Sequence, residues 1–149
     1  MSTNRKILKV LSIIGVVLSV LSLIIGGILI ATCVSNPDGV VSAMGGYQHL
    51  LDLSDVEAVE VLMGCGVALM IYSIFEIFVS AMGIRGANNP SKMGFVFVMA
   101  TISAAISVLG FILTVANGNF SFGELVGVVL TCAICYVCFK VREEGKQEA

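Results

Sequence analysis

The sequence predicts an all-α integral membrane protein, an antiparallel and left-handed bundle of four transmembrane helices. Three observations carry that expectation. Of 149 residues, 58% are hydrophobic and only 12% charged, about half the charged share of an ordinary soluble domain; mean hydropathy is +1.05. Four apolar runs, residues 7–34, 56–84, 93–116 and 122–141, can each supply the ~20 helical residues that cross ~30 Å of hydrocarbon. Within them, small residues recur at spacings of three and four, the rhythm of helices packed backbone to backbone. The runs take up most of the chain. A single four-span domain over 1–149 follows, with an outer loop at 35–55, an inner loop at 85–92, a tail at 142–149 and no soluble module.

The first run starts from basic residues, and Ile30-Ala31-Thr32-Cys33 is close to a lipoprotein cleavage box. Its apolar part is much longer than the roughly 7–15 residues of a secretory leader, and Thr before the Cys fits that box poorly. It is read as a retained span. Its stretch SIIGVVLSVLSLIIGG carries Ser12, Gly15, Ser19, Ser22 and Gly26 among Leu, Ile and Val.

The loop that follows, SNPDGVVSAMGGYQHLLDL, has a turn signal at Gly45-Gly46. Val40, Val41, Met44, Leu50, Leu51 and Leu53 make it too apolar for a freely solvated connection, so it is expected to fold onto the helix ends or lie at the interface.

Span two opens with Ser54…Glu57 and span four with Ser121…Glu124. Both are S-x-x-E capping boxes, in which Ser satisfies an amide of the first turn and Glu reaches back to the amide of the Ser. Along span two, Gly66, Ser73, Glu76, Ser80 and Gly83 share one heptad stripe, and Gly86 suits a C-terminal cap. Asn89-Pro90 reads as the start of span three, whose small residues are Ala100, Ser103, Ser107, Gly110 and Thr114. Asn117-Gly118-Asn119 is a tight turn that makes spans three and four antiparallel neighbours. Span four carries Gly127, Thr131, Cys135 and Cys138.

Lipid supplies no hydrophobic drive for helix association, so helices meet through small residues and polar groups that bond across the seam. A period near 3.5 keeps such a seam in contact around a left-handed supercoil. The residues expected at helix contacts are therefore Ser12, Gly15, Ser19, Ser22, Gly26, Ala100, Ser103, Ser107, Gly110, Thr114, Gly127 and Thr131. One of these stripes, foremost that of the first helix, serves equally well against a second copy or another membrane protein.

Charge predicts orientation. All eight basic residues fall on one side: Arg5, Lys6 and Lys9; Arg85 and Lys92; Lys140, Arg142 and Lys146. Against Glu143, Glu144 and Glu148 they leave that side at +5. The other side holds six acids, Asp38, Asp52, Asp55, Glu57, Glu60 and Glu124, and no Lys or Arg, hence −6. Basic residues next to spans stay in the cytoplasm. Both termini are thus expected to be cytoplasmic, in a plasma (inner) membrane.

Glu76 is the most informative side chain. Nine residues before Arg85, it lies roughly 13 Å along a helix from the membrane edge. An intramembrane carboxyl either stays protonated or finds partners, and it counts as a functional-site hypothesis. Ser73, Ser80 and Tyr136 join it as a candidate polar or coupling site, and Ser12, Ser19, Thr101 and Ser103 lie at similar depth. The competing reading is a neutral glutamic acid that hydrogen-bonds the bundle together.

Cys132, Cys135 and Cys138 form CxxCxxC, but on a helix inside the membrane with no His in reach they read as packing residues. Cys33 and Cys65, both toward outer helix ends, are close enough in depth for a disulfide to be considered. His49 is a lone loop residue near Asp52 and Asp55, whose charges suit a helix start. No metal site, cofactor, nucleic-acid surface, nucleophile–base pair or phosphate loop is expected.

Two function classes remain. The first is a small tetraspan protein with a structural or interaction role, associating with itself or another membrane protein. The alternative is a small proton- or cation-coupled transporter or channel using Glu76. An enzyme is not expected, and a membrane thiol oxidoreductase is the remote exception.

Overall fold

The computed structural model describes residues 2–44, 54–89, 92–116 and 122–147. Its regular elements are all helical: α1 (Thr3–Ser35), α2 (Pro37–Met44), α3 (Asp55–Asn88), α4 (Met93–Ala116) and α5 (Phe122–Gln147). Four of them, α1, α3, α4 and α5, are long and apolar enough to cross a bilayer. The chain is a small membrane protein. At 33 and 34 residues, α1 and α3 reach about 50 Å, so they outrun the hydrocarbon core.

Local chemistry accounts for the helix ends. The Ser54 amide donates to Glu57 Oε2 (2.9 Å) and the Glu57 amide to Ser54 Oγ (3.4 Å), which is the reciprocal capping box at the start of α3. The partner box at Ser121 and the turns at 45–46 and 117–119 lie outside the described residues. Inside the expected outer loop there is an unanticipated helix, α2. Asn36 caps it, its Oδ1 accepting the Gly39 amide (3.1 Å), and Pro37 takes the first helical position. Gly86 does not end α3. The helix continues to Asn88, and Gly86 sits inside it, buried against the Met93 and Val96 side chains. α4 spans Met93–Ala116, the bounds expected of span three, and Pro90 lies outside the described residues.

The chain divides into two compact units, Met1–Val17 with Glu76–Ala149, and Leu18–Phe75. In the first, four helical segments pack in a ring of neighbours. The start of α1 lies against the end of α3 at Ser12/Gly83 and Gly15/Ser80, and against α5 at Gly15/Ile134. The end of α3 meets α4 at Gly86/Met93, and α4 meets α5 at Phe97/Phe139, ring centroids 6.0 Å apart. Leu8, Val79, Met93, Val96, Ala100, Ile134, Cys138 and Val141 fill the interior. In the second unit the later part of α1 runs against the earlier part of α3. A side chain begun at Gly26 would meet the Gly66 carbonyl oxygen at 3.0 Å, and one at Gly66 would meet the Gly26 carbonyl at 3.2 Å. Only glycine lets two backbones approach so closely.

The large side chains point the other way. Ile24, Ile28, Leu109, Leu113 and Val129 are all more than half exposed, which would be costly in water and is the arrangement a hydrocarbon solvent asks for.

Candidate functional site

Glu76 lies one helical turn before Ser80 on α3, in the first unit, and is only 8% exposed. Ser103 of α4, 2% exposed, donates its hydroxyl to Glu76 Oε1. That bond ties α3 to α4 deep in the membrane. One turn on, Ser107 folds back on α4 itself, its Oγ donating to the Ser103 carbonyl at 3.0 Å. Among the described residues Glu76 has no ion-pair partner, and the ion pair between described residues is Lys140–Glu143 at 3.4 Å.

The hydroxyls around this pair follow two patterns. Some turn back onto their own helix: Ser73 to the Leu69 carbonyl (2.7 Å), Thr101 to Phe97 (2.8 Å), Thr114 to Gly110 (3.0 Å) and Thr131 to Gly127 (3.1 Å). Ser12 and Ser80 do not. They are 0% and 1% exposed, and their Oγ atoms have no hydrogen-bond partner among the described residues. Each instead points at the glycine of the facing helix, Ser12 at Gly83 and Ser80 at Gly15. SIIG (12–15) and SAMG (80–83) thus present one S-x-x-G motif to each other in opposite directions.

No family model, curated protein or solved structure matches this chain. The site is therefore interpreted from its own geometry.

Three candidate residues lie elsewhere than the sequence suggested. Tyr136 is 63% exposed. The inward stripe of α5 is Thr131, Ile134, Cys138 and Val141, and at 100° per residue Tyr136 falls opposite it. Gly110 and Gly127 are exposed, and a side chain begun at either would meet nothing within 4 Å. Burial in α4 ends at Ser103, and in α5 it begins only at Thr131. Of the remaining packing candidates, Ser12, Gly15, Ser19, Gly26, Ala100, Ser103 and Thr131 are buried, while Ser22, Ser107 and Thr114 are half-buried.

The cysteines carry no visible chemistry. All five are free thiols; Cys33 and Cys138 are buried, and Cys65 and Cys132 are exposed. Cys135 reaches Thr101 Oγ at 3.5 Å, linking α4 and α5. Among the described residues no group of three His, Cys, Asp or Glu is arranged to hold a metal, and His49 lies outside them. Between α2 and the start of α3, Asp38, Asp55 and Glu60 rim a cleft of ≈ 330 Å³ floored by Val41, Val56 and Val59.

At the other end of the spans, beyond the apolar stretch of α5, Glu144 ties the last turns of α5 to the start of α1. Ser2 Oγ donates to its Oε2 and Asn4 Nδ2 to its Oε1, both at 2.6 Å. The Ser2 bond above all, helped by Asn4 and the nearby Arg5 charge, holds this carboxyl below the ordinary glutamate range, although partial burial opposes it.

Proposed function

We propose that this protein is a structural or interaction component of its membrane, a four-span bundle that associates with itself or with another membrane protein through a small-residue helix face. The supporting observation is the pair Gly110 and Gly127. The contacts Phe97–Phe139, Thr101–Cys135 and Thr114–Glu124 step along α4 as α5 runs the other way, so these two glycines fall at one level of the hairpin. Glycine inside a helix costs about 1 kcal/mol relative to alanine, and neither glycine admits a neighbour among the described residues. A flat notch on a hairpin face suits the close approach of another helix.

The heptad spacing of Ser12, Ser19, Gly26 and Cys33, all buried, supports a left-handed twist for the bundle. The charge asymmetry supports cytoplasmic termini in a plasma (inner) membrane. Cross-linking in membranes tests the association: the native chain should yield a covalent oligomer or a defined hetero-complex, and Gly110→Leu/Gly127→Leu should abolish it while the variant stays folded. Orientation is read from an impermeant thiol label applied to intact cells, with cysteines introduced at Gln48 and at Gln147 and the native chain as blank. Only the first should react.

A second reading has Glu76 as the proton or monovalent-cation site of a transporter or channel, favoured by a buried carboxyl that, among the described residues, is bonded by a serine hydroxyl and no cation. The Ser103–Glu76 bond is explained equally by helix–helix cohesion, which keeps the structural role first. Flux into liposomes from the native chain that disappears with Glu76→Gln would reverse that order.

A further inference from the structure

We propose that the cleft between α2 and the start of α3 binds small organic monocations, with an ammonium group at its acidic rim and an apolar body on its valine floor.

The cleft lies wholly within the second unit, and two helices build it from one face each. Pro37, Asp38 and Val41 line it from α2; Val56, Val59 and Glu60 line it from α3, with Asp55 beside them. Both sets follow helical spacing. The Asn36 cap and Pro37 fix where α2 begins. Val40 of α2 and Ala58 of α3 are buried, and each is followed in sequence by a valine of the cleft floor. The cleft measures ≈ 330 Å³, within the range of roughly 300–1,000 Å³ common for small-molecule sites.

The cleft carries charge of one sign. Asp38 and Glu60 are exposed, and from residue 10 to residue 84 the sequence contains no Lys or Arg. Neither α1 nor α3 can bring a basic side chain to this end, because Lys9 and Arg85 stand at their opposite ends. Asp38 and Asp55 lie in the first turns of α2 and α3, where a helix start favours an acid. Glu60 lies in the second turn of α3 and has no such role. A cleft of one charge with apolar walls focuses its field and concentrates the opposite ion.

The floor decides which cation fits. Among the described residues no three His, Cys, Asp or Glu are arranged to hold a metal ion, and a bare ion would leave the valines uncovered. Val56 is 69% exposed. An ammonium carried on a hydrocarbon body meets both parts of the cleft, the carboxylates through charge and the valines through burial of apolar area. This reading is independent of the association proposed above.

Nuclear magnetic resonance of the full chain, labelled at valine methyls and purified in an uncharged detergent, tests the proposal with benzyltrimethylammonium as the probe. The methyls of Val41, Val56 and Val59 should shift saturably at millimolar probe, and added salt should weaken the binding, since exposed charges are screened. Asp38→Asn/Glu60→Gln should raise Kd about tenfold. Asp38→Glu/Glu60→Asp should keep the affinity, and Glu124→Gln, an acid of the first unit, should leave it unchanged. Benzylsulfonate has the same body with the opposite charge and should not bind; tetramethylammonium and Ca²⁺, which lack the body, should bind at least tenfold more weakly. Absence of a saturable shift in the native chain would overturn the proposal whatever the variants do. Equal binding of benzylsulfonate would overturn it by showing apolar adsorption only, and equal binding of tetramethylammonium or Ca²⁺ by showing a diffuse ion atmosphere only.

Discussion

Ser12 on α1 and Gly83 on α3 fit together as hydroxyl and notch. The Ser12 oxygen occupies the space where a side chain at Gly83 would begin, and Ser80 and Gly15 repeat the fit with the helices exchanged. Neither hydroxyl has a hydrogen-bond partner among the described residues, so close packing is the main contact at this seam.

Enlarging either glycine should therefore separate the helices. Gly83→Ala and Gly15→Ala are each expected to destabilise the purified protein by about 1–3 kcal/mol through overpacking. Adding Ser12→Gly to Gly83→Ala should recover most of the loss, a coupling that a double-mutant cycle measures as Tm in detergent. If Gly83→Ala is as stable as the native chain, the notch has been misassigned.

The opposite outcome is expected at Gly110 and Gly127, where an added methyl meets open space. Alanine at either position should stabilise the isolated chain by about 0.5–1 kcal/mol, the helix-propensity gain. A lower Tm for both variants, measured in dilute detergent, would mean that these positions pack within the chain after all.

The Glu76–Ser103 pair predicts a graded series. Ser103→Ala removes the donor that Glu76 has and should cost about 1–3 kcal/mol. Glu76→Gln, which still accepts that hydrogen bond, should cost less, and Glu76→Leu with Ser103→Ala should cost less than the sum of the two single changes. Additive losses would show that the residues do not act as a pair.

The clasp at Glu144 predicts a pH dependence. Its carboxyl titrates below the ordinary range in the folded chain, so the folded state binds this proton less readily than the unfolded state. The clasp then stabilises at neutral pH, and its contribution fades as pH falls from the ordinary glutamate value of about 4.3 through the lower folded value. Ser2→Ala/Asn4→Ala should lower Tm at pH 7 and leave it close to native at the acid end. An offset that stays constant from pH 7 to the acid limit would contradict this.

Much of the fold was legible because membrane helices advertise themselves. Runs of apolar residues gave α1, α3, α4 and α5, and Ser54…Glu57 gave the start of α3. α2 went unseen although Asn36-Pro37 is the same dipeptide as Asn89-Pro90; eight residues inside an apolar loop offer too little periodicity to separate helix from interfacial coil. Gly86 was misread because a glycine that ends a helix and one that admits a neighbour look alike in sequence. Gly110 continues the heptad of Ser103, so the periodicity found its face, but periodicity does not say whether anything lies against that face. The site was less legible. Several hydroxyls lay at the depth of Glu76, and without interhelical register nothing singled out Ser103, while Tyr136 matched in depth but not in angle around its helix.

The clasp also bears on how the chain is made. Ser2 and Glu144 are separated by 142 positions, so Ser2 leaves the ribosome long before the carboxylate it will meet. α1 and α3 can settle against each other well before α5 exists. Until α5 inserts, the start of α1 lacks the carboxylate that fastens it, so the clasp is the last of these helix contacts to close during synthesis.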